Sequence, residues 1–372
     1  MMHLVHLPSL SVQMRLTSPK YRVTWKTFLF PIIGVAAFFV YIYIFNVDVQ
    51  GIFAKIQQID IRFYIMAAVA VFLDTLFFTA TWDLLLRFLK VKVSLFRLFM
   101  FVWVGVFVDT LIPAESVSGE VSKIYLVNRE QPGSTGKATA SVVAQRLMGM
   151  SINVATLVTG AILLLTEKLL YGTILTLVLL LVALSLLFFV LLLLLCVKES
   201  WTLRIVDGLI RFAERISKGR WKLFRLREEA IGAAKSFHEA MKQYAHAPKT
   251  LSIAFFFATI SWIISLIVFY LTFRSIGYPQ ITWSAILIIS TIFIAAKSVP
   301  IGVPFEVGLP EITLTFLLSL FGIPLDISAT ATILMRLLTL WLRFFIGFAA
   351  QQWIGIKTMT THANGEVATG PT

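Results

Sequence analysis

The chain has 372 residues, 58% of them hydrophobic, and its mean hydropathy is +0.88. Soluble domains are only about 45–50% apolar, so this composition predicts an all-α polytopic membrane protein. The net charge of +13 indicates cytoplasmic loops facing anionic headgroups and argues against a nucleic-acid partner. With one cysteine and five scattered histidines, we predict no disulfide, no metal site and no cofactor, and we assign no catalytic residue.

The first membrane half is predicted over residues 28–197. Residues 1–27 carry four basic residues and no acid, which places this N-terminal segment in the cytoplasm. The segment Leu98–Ile112 is too short for the ~30 Å hydrocarbon core, so we predict a re-entrant hairpin that turns after it. Full spans are predicted at 28–45, 63–86, 138–166 and 169–197.

Residues 198–249 are predicted to be a basic, amphipathic cytoplasmic linker, because apolar residues recur there at helical spacing. The second membrane half, 250–356, has full spans at 251–273 and 327–354 and a second re-entrant hairpin between them. The tail, 357–372, is predicted to be disordered. This gives about six full spans, two broken hairpins and both termini on the cytoplasmic side of the cell membrane.

Two broken segments, Ile112–Lys123 and Val299–Glu311, indicate an internal repeat. Each carries Pro, Gly and Glu, and each precedes a run of small residues and an arginine. Arg146 follows Glu120 by 26 residues, and Arg336 follows Glu311 by 25. The first hairpin enters from inside and the second from outside, so the repeat is inverted, which is typical of transporters with a midplane site. Alternatively, all the short segments span fully, which reverses the orientation after residue 113.

Arg146 and Arg336 are the main candidates for ligand binding, because each lies inside a long apolar helix. Their forked donors suit a phosphate group. The alternative is that each arginine pairs internally with Glu120 or Glu311 and fixes the fold. The two acids are then either proton-coupled groups or groups that orient the arginines.

Further candidates surround these pairs. Lys123 lies one turn after Glu120, as a helix-face partner or a ligand contact, and Lys297 is a possible anion contact in the second half. Helices that begin inside a protein direct backbone N–H groups at an anion. The residues expected to break the helices and free such donors are Pro113, Gly119, Pro304 and Gly308.

At these residues the chain resembles the lysylphosphatidylglycerol synthase transmembrane region, also described as a flippase-like family. The family's first motif is a proline, then Gly-Glu, a basic residue and an aliphatic run. The second is Pro-Gly-Gly-x-Gly-x-x-Glu, in which Phe305-Glu306 here replaces Gly-Gly. The resemblance covers 25–355, and the residues that carry the motifs are Pro113, Gly119, Glu120, Lys123 and Leu126, and then 304–311.

The resemblance implies translocation of a lipid with a phosphate-containing head, either a phospholipid or a polyprenyl-phosphate-linked lipid. The first hypothesis is therefore a flippase or transporter working by alternating access. The second is a membrane-embedded enzyme acting on a lipid phosphate, with Glu120 or Glu311 as base. The third is a non-catalytic partner that anchors a glycosyltransferase through 198–249, and an oligomer is also possible.

Overall fold

A computed structural model describes residues 57–112, 117–167, 172–216, 224–297 and 308–367. Over these residues every regular element is helical, which confirms the all-α class. The predicted N-terminal segment and the span at 28–45 lie outside the described residues, as do Pro113 and Pro304.

The helices can be grouped by the three segments predicted from the sequence. The first half contains α1 (Ile61–Phe88), α2 (Leu95–Leu111), α3 (Val117–Glu130), α4 (Thr135–Thr166) and α5 (Gly172–Val197). The linker contains α6 (Glu199–Ile216) and α7 (Phe224–Ala245). The second half contains α8 (Pro248–Ser275), α9 (Trp283–Lys297), α10 (Leu309–Leu320), α11 (Leu325–Arg336), a π-helical turn (Leu337–Leu342) and α12 (Arg343–Val367).

Within the described ranges, five helical stretches are long and apolar enough to cross a membrane. They correspond to five of the six predicted spans. The apolar parts of α9 and α10 are shorter, and at 1.5 Å per residue they do not cover a ~30 Å core. Helix α12 extends to Val367, into the range predicted as a tail. The five stretches are Ile61–Phe88, Thr135–Thr166, Val178–Val197, Pro248–Ser275 and Leu325–Gly355.

Helices α1 and α8 pack together in opposite directions. At one end the backbone N–H of Asp60 donates to the Ser275 carbonyl at 2.8 Å. Further along α1, the rings of Phe77 and Phe257 lie 6.2 Å apart. Later residues of α1 therefore meet earlier residues of α8. Both helices have 28 residues.

Two further contacts between the halves resemble each other. Helix α2 packs on α12, and α9 packs on α4. Gly347 of α12 meets α2 so closely that a Cβ there would lie 2.5 Å from the Trp103 carbonyl oxygen. At Gly160 of α4, a Cβ would lie 2.9 Å from Cδ1 of Ile288 in α9. Small residues thus let helices approach closely at both interfaces.

The linker helix α7 is fixed to the first half. The Tyr244 hydroxyl donates to the Leu85 carbonyl at 2.9 Å, and burial raises the pKa of Tyr244 well above its usual range. His238 Nδ1 lies 3.0 Å from the Cys196 carbonyl oxygen. These contacts hold α7 at the end of the bundle where α1 and α5 terminate. Helix α6, in contrast, exposes large apolar side chains on one face: Trp201, Ile205, Leu209 and Phe212.

We expect Gly347→Ala to destabilise the protein by about 1–3 kcal/mol, because the methyl group would press on the backbone of α2. The matched control is Gly355→Ala on the same helix, where an added Cβ meets no atom within 4 Å. Thermal unfolding in detergent measures both variants. Equal midpoints for the two would contradict the close α2–α12 contact.

Candidate functional site

The first Glu–Arg pair joins the short helix α3 to the long helix α4. Arg146 Nη1 donates to both carboxylate oxygens of Glu120 at 3.3 Å. The side chains of Arg146 and Glu120 are 29% and 25% exposed. These hydrogen bonds are long for a charge-assisted pair, which usually measures about 2.7–2.9 Å. The pair is therefore loose and partly open.

Asp109 fixes the start of α3. Its carboxylate accepts from Ser118 Oγ at 2.7 Å and from the backbone N–H of Gly119 at 2.6 Å. A Cβ at Gly119 would lie 2.2 Å from the Asp109 carboxylate and 2.4 Å from the Gly105 carbonyl oxygen. Glycine at position 119 thus allows α3 to lie directly on α2. Sequence analysis gave Asp109 no role, although an acid in an apolar helix ten residues before Gly119 was a usable signal.

Lys123 is buried beside the first pair. Its Nζ lies 5.3 Å from the ring centroids of both Phe78 and Trp82, a cation–π arrangement. The Trp82 indole N–H donates to Ser141 Oγ at 2.9 Å, which fixes the ring. The Lys123 amine therefore lies against aromatic rings of α1, one helical turn after Glu120.

The second Glu–Arg pair is tighter and closed. Arg336 Nε donates to Glu311 Oε1 at 2.5 Å, and the two side chains are only 4% and 5% exposed. Glu311 Oε2 also accepts from the backbone N–H of Gly308 at 2.7 Å. Gly308 has φ +103°, a left-handed backbone that favours glycine. Glu311 thus caps its own helix α10 and binds Arg336 on the following helix.

The two pairs have the same architecture and differ in their surroundings. In each, an acid near the start of a short helix binds an arginine on the helix that follows. Arg146 and Glu120 are partly exposed, whereas Arg336 and Glu311 are buried. Lys297 is the last residue of α9, and its side chain lies outside what the structure describes.

A third charged group joins three helices, and sequence analysis did not predict it. Arg343 Nη2 of α12 donates to Asp74 Oδ2 of α1 at 2.7 Å. Ser261 Oγ of α8 donates to Asp74 Oδ1 at 2.6 Å. Both charges stand out in the apolar sequence, but they are 269 residues apart and pair only through helix packing. The other acid of α1, Asp83, pairs with Arg87 at 2.7 Å, as its spacing predicts.

The fold and its charged pairs within apolar helices define a polytopic α-helical membrane protein. A family model described as the lysylphosphatidylglycerol synthase TM region matches residues 31–347, and the chain belongs to this family. The family identification made from the sequence motifs is thereby confirmed.

Relatives of the chain are found in archaea. A UPF0104 membrane protein of Pyrococcus horikoshii is 23% identical over 325 residues, which cover 87% of this chain and 95% of the relative. A UPF0104 membrane protein of Methanothermobacter thermautotrophicus is 26% identical over 307 residues, covering 81% and 88%. One of Methanocaldococcus jannaschii is 20% identical over 294 residues, covering 78% and 84%. No solved structure matches the chain.

We expect Arg336→Gln to cost about 3 kcal/mol or more of stability, because it leaves the buried Glu311 without its cation. The same change at the partly exposed pair, Arg146→Gln, should cost below about 1 kcal/mol. Unfolding in detergent compares the two. The double variant Arg336→Gln/Glu311→Gln should recover part of the loss, since no lone charge remains. Equal losses at Arg146 and Arg336 would show that the difference in burial has no energetic effect.

Proposed function

We propose that the protein moves a lipid with a phosphate-containing head group between the leaflets of the cell membrane. The lipid is a phospholipid or a polyprenyl-phosphate-linked lipid. The observation that carries the proposal is the matched pair of Glu–Arg contacts, one partly open and one closed. In transporters built from inverted repeats the two halves surround a midplane site and move against each other, and equivalent contacts in different states fit such a mechanism.

The directions of the helices support an inverted repeat. Equivalent helices α1 and α8 are antiparallel. Helix α1 runs parallel to α11 and α12, since Tyr64 contacts Leu334 and Asp74 contacts Arg343 further along both helices. It runs antiparallel to α4, since Trp82 contacts Ser141 and the earlier Phe78 contacts Gln145. The two arginine-bearing segments, α4 and α11–α12, therefore point in opposite directions, as inverted halves require.

In this proposal the open half-site binds the head group. A phosphate displaces Glu120 from Arg146, because its oxygens accept the forked guanidinium donors at least as well as a carboxylate does. Lys123 supplies a second positive charge nearby. The backbone N–H of Gly119 already donates to Asp109, so in this proposal the side chains of Arg146 and Lys123 hold the head group.

The closed half-site works in the opposite sense. Glu311 accepts hydrogen bonds from Arg336 and from the backbone N–H of Gly308. With Glu311 bound to it, Arg336 has no room for a phosphate in this state. When the halves exchange states, Glu120 closes on Arg146 and releases the phosphate, while the second half-site opens. The assignment of Lys297 and Pro304 to the second site, and of Pro113 to the first, stays a prediction from the sequence. Both termini lie in the cytoplasm in this arrangement.

Reconstitution into liposomes with labelled lipids tests the transport function. We expect lipid exchange between leaflets to fall about tenfold or more in Arg146→Ala, because charge-assisted hydrogen bonds contribute about 1.5–3 kcal/mol. Arg336→Ala should have the same effect where it folds. The control is Arg87→Ala, which removes only the exposed i,i+4 pair with Asp83.

Three outcomes would contradict the proposal. Folded Arg146→Ala protein that exchanges lipid at the wild-type rate would exclude the site. A new lipid product in the mass spectrum would favour the enzyme hypothesis. Wild-type protein that neither moves nor modifies lipid would favour a non-catalytic partner of a glycosyltransferase.

Cysteine labelling tests the inverted repeat separately. Pro132 lies in the exposed turn before α4, and Leu325 is the exposed first residue of α11. We expect Pro132→Cys and Leu325→Cys to react with a membrane-impermeant maleimide from opposite sides, while the buried Cys196 serves as an unreactive background. Labelling of both from one side would contradict the inverted arrangement.

A further inference from the structure

The crossing of α1 and α8 carries a polar contact at its centre. Asp74 is the fourteenth of the 28 residues of α1, and Ser261 is the fourteenth of the 28 residues of α8. Because the helices are antiparallel, these equivalent residues meet, and Ser261 donates to Asp74 at 2.6 Å. Arg343 completes the group at 2.7 Å from Asp74, with the two charged side chains 25% and 14% exposed.

The equivalent positions of the two halves carry different residues here. Arg343 follows Arg336 by seven residues, and Asn153 follows Arg146 by seven. In an inverted repeat, the positions of Asp74 and Arg343 therefore correspond to the positions of Ser261 and Asn153. The first is a formed ion pair. At the second, Asn153 Oδ1 is buried and has no hydrogen-bond partner among the residues that the structure describes.

In an inverted repeat, the difference between these two pairs of residues affects the balance between the two conformations. When the halves exchange conformations, each contact is replaced by its equivalent in the other half. The Asp74–Arg343 contact opens, and the Ser261–Asn153 contact closes. An ion pair in a low-dielectric setting attracts more strongly than a neutral hydrogen bond. The two conformations are then unequal in free energy, and the one with the closed ion pair is favoured.

The π-helical turn Leu337–Leu342 separates the two arginines of the second half. A π turn holds more residues than an α turn, and such turns are frequent at functional sites. If the turn tightens to α-helix, Arg343 rotates relative to Arg336. The turn thus provides a local means of separating Arg343 from Asp74 while Arg336 changes its own contacts.

We propose that Asp74 and Arg343, with Ser261, form a latch that holds the conformation in which the first half-site is open, and that Ser261 and Asn153 are its neutral counterpart in the opposite conformation. This inference rests on the proposed alternating access. The latch would determine which of the two half-sites is open in the absence of lipid. It uses none of the residues assigned to phosphate binding.

Hydrogen–deuterium exchange of the full-length protein in lipid nanodiscs measures the latch directly. The readout is the ratio of amide exchange in α3, beside the open pair, to that in α10, beside the closed pair. We expect Asp74→Asn to shift this ratio toward faster exchange in α10 by about tenfold, which corresponds to ~1.4 kcal/mol. The matched control is Asp83→Asn, which removes the other carboxylate of α1 and should leave the ratio unchanged.

Exchanging the equivalent residues is the decisive variant. Asp74→Ser and Arg343→Asn, combined with Ser261→Asp and Asn153→Arg, transfer the ion pair to the other half and should invert the ratio. The charge reversal Asp74→Arg/Arg343→Asp should restore the wild-type ratio, and it keeps the test available if the fourfold variant fails to fold. An unchanged ratio in Asp74→Asn, or no rescue by the reversal, would overturn the latch.

Measuring lipid exchange on the same variants distinguishes a failure of the latch proposal from a failure of the proposed transport function. If wild-type protein moves lipid but the latch variants keep the wild-type exchange ratio, the latch alone is wrong. If wild-type protein moves no lipid, the transport function is wrong. A shifted ratio in Asp74→Asn would then still establish the conformational latch.

Discussion

The antiparallel packing of α1 against α8 governs how the other helices are arranged. It directs the helices that follow in opposite senses, so that α2 lies along α12 and α9 lies along α4. Each half thus forms part of the wall around the long arginine-bearing helix of the other. The Glu–Arg pairs are made within one half, but their exposure is determined by both.

The cost of an unpaired charge in an apolar environment explains why each arginine is bound to a carboxylate. A lone guanidinium inside the membrane is costly, so every arginine placed there needs a carboxylate or a phosphate. Glu311 provides the carboxylate for Arg336 and also caps α10. Two contacts therefore keep the Glu311 side chain in place on Arg336. The looser contact between Glu120 and Arg146 leaves the first arginine open to a competing acceptor. An internal pair and a phosphate site are therefore compatible roles for the same residues.

Local spacing predicted much of this arrangement, and tertiary packing determined the rest. Hydropathy located the five long apolar helices that the structure describes, and the i,i+4 spacing of Asp83 and Arg87 is one that favours their pairing on a helix. Each Glu–Arg pair could be proposed because acid and arginine lie on successive helices. The partner of Asp74 could not be predicted, because it depends on the rotation of α12 against α1. The unequal burial of the two pairs also required the packed structure, since both have similar sequence surroundings.

The unequal residues of two similar halves give the proposed transport cycle its resting state. A scaffold with identical halves would populate both conformations equally, because exchanging them would change no contact. Here the helical stretch from α11 through the π turn to α12 binds two carboxylates, Glu311 through Arg336 and Asp74 through Arg343. In the proposed cycle both contacts change when the second half-site opens, and the π turn lies between them. A head group that replaces Glu120 on Arg146 would then add to the stability of the proposed resting state.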